Sequence, residues 1–319
     1  WAVNHNFIES NEGWAYSFFD KNNRNRKNLT NEIRLRYLNA TFGIYHKNLD
    51  EKDLASGYLF GGAATSAKSK YEHNVYAVYG EFEYRLSNNI SLNSSIRQEN
   101  SQYVFSGESQ GINYYYEAVD LPDVSFKSDV QMDGHKVSLN YNINKNTNIF
   151  ASRSKGFKAG GINQQPSLNE PSRPFDPEYL YNTEFGFNFR TSKINTSLTM
   201  FDGIRKNQQV SISSQQEEGN PNSFLFYTDN ATSGWVRGFE FDNDIMISKN
   251  FMVSTSYGYL DTYINKFYYP TQVGDTSSYG GDREAAMSPN TASISVEYST
   301  SNDIHFTYKA NFKGQYYYS

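Results

Sequence analysis

Apolar and polar residues alternate with a period of two along most of the chain, the spacing at which successive side chains of a β-strand fall on opposite faces. Ile304, Phe306, Tyr308, Ala310 and Phe312 alternate with His305, Thr307, Lys309 and Asn311. Ala292, Ile294, Val296 and Tyr298 alternate with Ser293, Ser295 and Glu297, and Val137, Leu139, Tyr141 and Ile143 with Ser138, Asn140 and Asn142. In a fourth segment Phe239, Phe241, Ile245 and Ile247 oppose Glu240, Asp242 and Asp244. Three carboxylates on one strand face do not enter a packed core, so that face meets water. The apolar face, with Phe239, Phe241, Ile294, Val296, Phe306 and Tyr308, is then expected to look outward, and Glu240, Asp242, Ser295 and His305 inward.

The connections alternate between short and long. Short polar turns fall at 87–89, 144–146, 191–192, 248–250 and 301–302, and long segments run from Leu49 to Lys70, Phe105 to Asp133, Ala159 to Glu178, Ser211 to Ser233 and Asn265 to Ala285. Short turns on one side and long loops on the other are the rule for outer-membrane barrels, with the long loops extracellular. The fold class is therefore all-β, a transmembrane antiparallel up-and-down barrel, with about fourteen strands in this chain and no helix or linker. A soluble solenoid, propeller or sandwich also alternates, but no repeat of fixed period is visible.

Composition supports lipid as the solvent of one face. Aromatic residues are 17% of the 319, with 27 Tyr and 23 Phe, yet the mean hydropathy is -0.73. A membrane helix needs about twenty consecutive apolar residues and the chain has no such run, whereas a barrel needs apolar side chains only at alternate positions. The net charge of -5 comes without a long basic run, which gives nucleic acid no footing. The absence of cysteine excludes disulfides, thiolate zinc sites and cysteine nucleophiles. Trp1 to Ser10 has no charged segment followed by an apolar one, so the expectation is a leader already removed or a fragment.

Several stretches fall in a telling order: Asn31-Glu32-Ile33-Arg34-Leu35, then NIFASRSKGFKAGGIN from Asn148 to Asn163, Phe175-Asp176-Pro177-Glu178, and Tyr181-Asn182-Thr183-Glu184-Phe185-Gly186. Asn207-Gln208-Gln209-Val210, Asp229-Asn230-Ala231 and Gly238-Phe239-Glu240 follow. This series resembles TonB-dependent outer-membrane receptors. The resemblance implies a barrel of about 22 strands whose lumen holds an N-terminal plug, with TonB driving uptake of a scarce ligand. No plug, TonB-box segment or closing strand is recognisable, so the chain is expected to be an internal portion, residues 1–319, covering roughly the fifth to eighteenth strands.

Side-chain chemistry points to no catalysis, metal or cofactor. Lys155-Gly156-Phe157-Lys158-Ala159-Gly160-Gly161 lacks the Lys-Ser/Thr of a phosphate loop. His5, His46, His73, His135 and His305 lack metal-ligand spacing, and His135 near Asp133 and Ser138 is the sole local arrangement of hydrolase type. Glu217 and Glu218 with Asn220 and Asn222 match no calcium loop. Arg153 and Lys155, read on the face opposite Phe150, are expected in the lumen with Glu184, Arg190, Glu240, Asp242 and Asp244, where they solvate the wall or contact the plug. Ligand capture is expected at the outer side, by Lys158, Asn163, Arg173, Tyr227 and Arg283, with Tyr115 and Tyr268 among tyrosine clusters that stack on ligand or join the rim girdle. The favoured function is TonB-coupled uptake of a small molecule, above all a ferric siderophore; a passive porin or a surface adhesin is the alternative. The partners implied are TonB through the plug, outer-membrane lipid and lipopolysaccharide.

Overall fold

The computed structural model describes residues 2–11, 14–59, 64–113, 115, 117–164, 168, 173–215, 224–270, 276–279 and 288–315. Among them there is no helix, and the strands are β1 (Ala2–Asn11), β2 (Trp14–Tyr37), β3 (Ala40–Leu59), β4 (Ala64–Arg85), β5 (Ile90–Ile112), β6 (Ala118–Asp120), β7 (Val124–Asn144), β8 (Thr147–Lys158) and β9 (Gly161–Ile162). Then follow β10 (Pro174–Phe175), β11 (Glu178–Arg190), β12 (Ile194–Gln215), β13 (Phe224–Ser248), β14 (Phe251–Ile264), β15 (Phe267–Pro270), β16 (Thr276–Tyr279), β17 (Asn290–Ser299) and β18 (His305–Lys313). One 14-stranded sheet runs β1-β2-β3-β4-β5-β7-β8-β11-β12-β13-β14-β17-β18, with β6 on the end of β5. Each wall strand pairs antiparallel with its sequence neighbours in the wall, so the sheet is an up-and-down barrel wall, open rather than closed.

The register explains the alternation row by row. Tyr141, Ile149, Phe187, Leu198, Phe241, Tyr257, Ala292 and Phe312 are successive cross-strand partners from β7 to β18, a continuous apolar row. One residue along each strand lies a second row, Asn142, Asn148, Asn188, Ser197, Asp242, Ser256, Ser293 and Asn311, polar at every position. Adjacent rows of a pleated sheet point to opposite faces, so the two environments are separated by the backbone alone. The polar row bonds within itself, Asn148 Nδ2 to Asn142 Oδ1 at 3.0 Å and Ser256 Oγ with Ser293 Oγ at 2.7 Å. The apolar face is bare, with Leu35 64% and Phe312 60% exposed, an arrangement stable only where hydrocarbon replaces water.

The polar face carries aromatic rings where a neighbouring strand offers a glycine. A Cβ on Gly186 would lie 2.0 Å from the Phe150 ring, and one on Gly43 would lie 2.1 Å from the Tyr79 ring. Each ring occupies the space that the glycine leaves. Gly186→Val is expected to push Phe150 off the wall and to destabilise the barrel by about 1–3 kcal/mol. The urea midpoint of the full protein in lipid vesicles measures this, and an unchanged midpoint refutes the packing.

Several segments expected as long loops are strand instead. β3 and β4 continue to Leu59 and from Ala64, β5 and β7 to Ile112 and from Val124, and β12 and β13 to Gln215 and from Phe224. Pairs such as Lys52↔Lys70 and Asp53↔Ser69 show why. Beyond the apolar band both faces are polar, so the alternation fades while the backbone ladder continues. The short turns, including 145–146 and 249–250, stand at the opposite end.

Candidate functional site

The inner wall is built by strands that turn every second residue to the polar face, and several of those residues are charged. Glu32 and Arg34 of β2 flank the lipid-facing Ile33, and on the inner face they meet Tyr79 of β4. Arg34 donates to Tyr79 Oη at 3.0 Å and to Glu32 Oε1 at 3.0 Å, and the Tyr79 hydroxyl donates to the same Glu32 carboxylate. Arg97 of β5 bonds Glu99 at 2.6 Å and places its guanidinium 5.3 Å from the Tyr45 ring. A second group centres on Glu184, whose carboxylate accepts from Ser152 Oγ at 2.9 Å and Asn182 Nδ2 at 2.8 Å and lies 3.5 Å from Lys136 Nζ. The Glu32–Arg34–Tyr79–Arg97–Glu99 group escaped sequence reading, although the alternation of Glu32 and Arg34 around Ile33 signals it.

Of the charges expected in the lumen, Glu184, Arg190, Glu240, Asp242 and Asp244 lie on this polar face. Arg190 donates to Asn195 Oδ1 at 3.2 Å, and Asn195 donates to Asp244 at 3.2 Å. Arg153 and Lys155 do not. Their partners in register are Val137 and Thr183, and His135 and Tyr181, in line with Ala151 and Phe185 of the apolar face. The inward expectation took Phe150 as lipid-facing, whereas Phe150 lies on the polar face over Gly186.

At the outer ends of β8, β11, β12 and β13, four of the sequence stretches singled out above converge. Gln209 Nε2 donates to the carbonyls of Ala159 at 2.8 Å and Asp176 at 3.1 Å, and the Gln209 amide donates to Glu178 Oε2 at 2.9 Å. Asn230 Nδ2 donates to the carbonyls of Asp176 at 3.0 Å and Asn207 at 2.8 Å, and its Oδ1 accepts from the Asp176 amide at 2.6 Å. Asn163 exchanges two bonds of 2.8 Å with the Thr228 backbone. Arg205 Nε bonds Glu178 Oε1 at 2.7 Å, with the carboxylate almost fully buried. Asn207 adopts φ 51, a left-handed conformation that asparagine tolerates. Gly160 and Gly161 are required because Phe175 lies on them, 2.4 Å and 2.5 Å from where their Cβ atoms would stand. The result is a knot of side-chain amides satisfying loop backbone, beside a core of Leu168, Val210, Ile212, Leu225, Tyr227, Ala231, Ile264 and Phe267.

This knot decides what the residues expected at the ligand can offer. Asn163, Arg173 and Tyr227 are buried at 9%, 8% and 8% exposure and belong to the loop packing. Lys158 is exposed at the end of β8, opposite Glu178 in register. Tyr115 and Tyr268 are exposed at 77% and 66%, with Lys266 Nζ 5.5 Å from the Tyr268 ring. Arg283, Glu217 and Glu218 lie outside the described residues. Among the described residues no group of three or more His, Asp or Glu is placed to hold a metal.

The chain matches the family model described as TonB dependent receptor-like, beta-barrel, over residues 2–319. No curated protein is similar in sequence. Among solved structures, the ferric yersiniabactin uptake receptor FyuA from Yersinia pestis superposes with a TM-score of 0.67 at 14% identity, covering 97% of this chain and 49% of that one. The siderophore receptor PiuA from Acinetobacter baumannii gives 0.63 at 13% identity, covering 98% of this chain and 48% of that one. The copper transporter OprC gives 0.62 at 12% identity, covering 89% of this chain and 42% of that one. The chain thus spans about half the length of these structures, and at such identities the likeness is one of fold. Rows of lipid-facing apolar residues, a charged inner wall and a match along nearly the whole sequence agree: the chain belongs to the TonB-dependent receptor β-barrel family, of the bacterial outer membrane.

Proposed function

We propose that the full protein takes up a scarce nutrient across the outer membrane by TonB-coupled transport, with a ferric siderophore as the ligand class. The observation that carries this reading is the inner wall. Several of its charges are joined in networks that cross strands, Glu32 to Arg34 and Tyr79, and Glu184 to Lys136. Paired and oriented polar groups suit a folded plug seated against them better than a water-filled pore, in which inward charges tune solute flow. Of the similar structures, PiuA is a siderophore receptor by name and FyuA a ferric yersiniabactin uptake receptor, which supports the ligand class. Among the described residues of the expected ligand set, Lys158, Tyr115 and Tyr268 are the exposed side chains, and cation and ring faces of this kind suit an anionic, aromatic chelate.

The test uses the full-length gene in iron-starved cells lacking their own siderophore receptors. Uptake of radioactive iron from at least one ferric siderophore is expected, and it should vanish in an otherwise identical strain without TonB. Uptake that persists without TonB identifies a passive pore. TonB-dependent uptake of copper, with none of iron, keeps the coupling and replaces the ligand.

A further inference from the structure

The outward face of β8, β11 and β12 changes character over three steps. Its last apolar row is Ala151, Phe185 and Met200. The next rows outward are Arg153, Thr183 and Asp202, then Lys155, Tyr181 and Ile204, then Phe157, Tyr179 and Lys206. Lys155 Nζ lies 4.7 Å from the Tyr179 ring centre and 5.9 Å from that of Tyr181, while Lys206 Nζ lies 5.2 Å from the Tyr181 ring on its other flank. Arg153 donates to Thr183 Oγ1 at 2.8 Å. Two ammonium groups and a guanidinium are therefore gathered around the Tyr179–Thr183 stretch of β11, on the lipid side of the wall.

The carboxylates on this face are already engaged. Asp133 is 2.6 Å from Lys155, and Asp202 is 3.2 Å from Arg237. Among the described residues, Arg153 meets a hydroxyl and Lys206 a ring face, which carry no charge. Both side chains are exposed, and long cationic stems that lie along rings deliver their charge to the polar edge of a membrane. On the long-connection side that edge is the outer leaflet, where the anionic groups at this height are the phosphates of lipopolysaccharide.

We propose that Arg153, Lys155 and Lys206, set around Tyr179 and Tyr181, form a binding site for a phosphate of lipopolysaccharide on the outside of the barrel. Charge complementarity selects this occupant: two cations with no carboxylate partner among the described residues and a third held by Asp133 face a leaflet whose headgroups are polyanionic, and charge-assisted bonds to phosphate are strong where water is partly excluded. The apolar row directly beneath supplies the surface for acyl chains. The site is independent of the nutrient transported and of TonB coupling.

The experiment purifies the full receptor from the outer membrane in mild detergent with chelator present and measures retained lipopolysaccharide by native mass spectrometry. Arg153→Gln with Lys206→Gln is expected to weaken retention about tenfold or more, on the scale of losing charge-assisted hydrogen bonds. Lys193→Gln, a cation at the short-turn end, should leave it unchanged. A heat-modifiability gel establishes that each variant is folded, and a folded single variant, Lys206→Gln, serves if the double variant is not. Re-addition of lipopolysaccharide stripped of its lipid A phosphates should restore no binding to the wild type. Equal retention by folded wild type and variants, or equal binding of the stripped lipid, overturns the proposal and leaves cations that only reach for interfacial water.

Discussion

Glu178→Ala is expected to release the β8–β11 connection and to lower the unfolding free energy by about 3–5 kcal/mol, the range for breaking a buried ion pair. Glu178 is 6% exposed, its carboxylate receives Arg205 at 2.7 Å and the Gln209 amide at 2.9 Å, and Arg205 is itself largely buried. Alanine removes the charge that Arg205 was folded against and leaves the Gln209 amide without this acceptor. Because Gln209 also holds the carbonyls of Ala159 and Asp176, loosening it frees both ends of the connection. The measurements are chemical unfolding of the full receptor in lipid vesicles and protease cleavage between residues 159 and 177 on whole cells. Glu240→Ala, an exposed carboxylate on the inner wall, should change neither. A Glu178→Ala protein that resists protease like the wild type would show that the knot is not held by this carboxylate.

The sequence was legible where lipid selects the side chain. The row from Tyr141 to Phe312 and its polar neighbour from Asn142 to Asn311 differ so sharply in polarity that alternation alone reveals strand, face and direction. Above the band that selection ends. Strand β3 runs through Asp50-Glu51-Lys52-Asp53 and pairs with Ser69-Lys70-Tyr71-Glu72 of β4, yet both faces are polar there and the pattern resembles a loop. The inner wall misled for another reason: Phe150 is apolar because Gly186 opposite leaves room for a ring, a fact about two strands that no single strand encodes. That one residue inverted the assignment of Arg153 and Lys155. The knot shows the converse. Ala159 to Asn163, Asp176 to Glu178, Asn207 to Gln209 and Asn230 are visible as separate stretches, but their side-chain amides answer backbone groups up to 65 residues away, and only the folded wall brings them together.

Phe241→Arg should be the most damaging single change on the lipid face, whereas Asp242→Arg, one residue along the same strand, should cost little. Phe241 lies in the apolar row between Leu198 and Tyr257, and Asp242 lies in the polar row between Ser197 and Ser256. An arginine facing hydrocarbon near the bilayer midplane costs about 2–4 kcal/mol, and the penalty falls toward the interfaces. The chain carries its own evidence of that gradient. Moving outward along β13 on the same face, Phe241 and Phe239 give way to Arg237, which pairs with Asp202 at 3.2 Å and sits 4.2 Å from the Trp235 ring. Arginine is thus already accepted two residues, one row, beyond Phe239. The measurement is reversible unfolding of the full protein in phospholipid vesicles, with Phe241→Arg, Phe239→Arg and Asp242→Arg compared. The expected order of destabilisation is Phe241 first, Phe239 second and Asp242 near zero. Equal costs at 241 and 242 would mean that both faces of β13 meet the same solvent, and the division into lipid wall and lumen would fall with it.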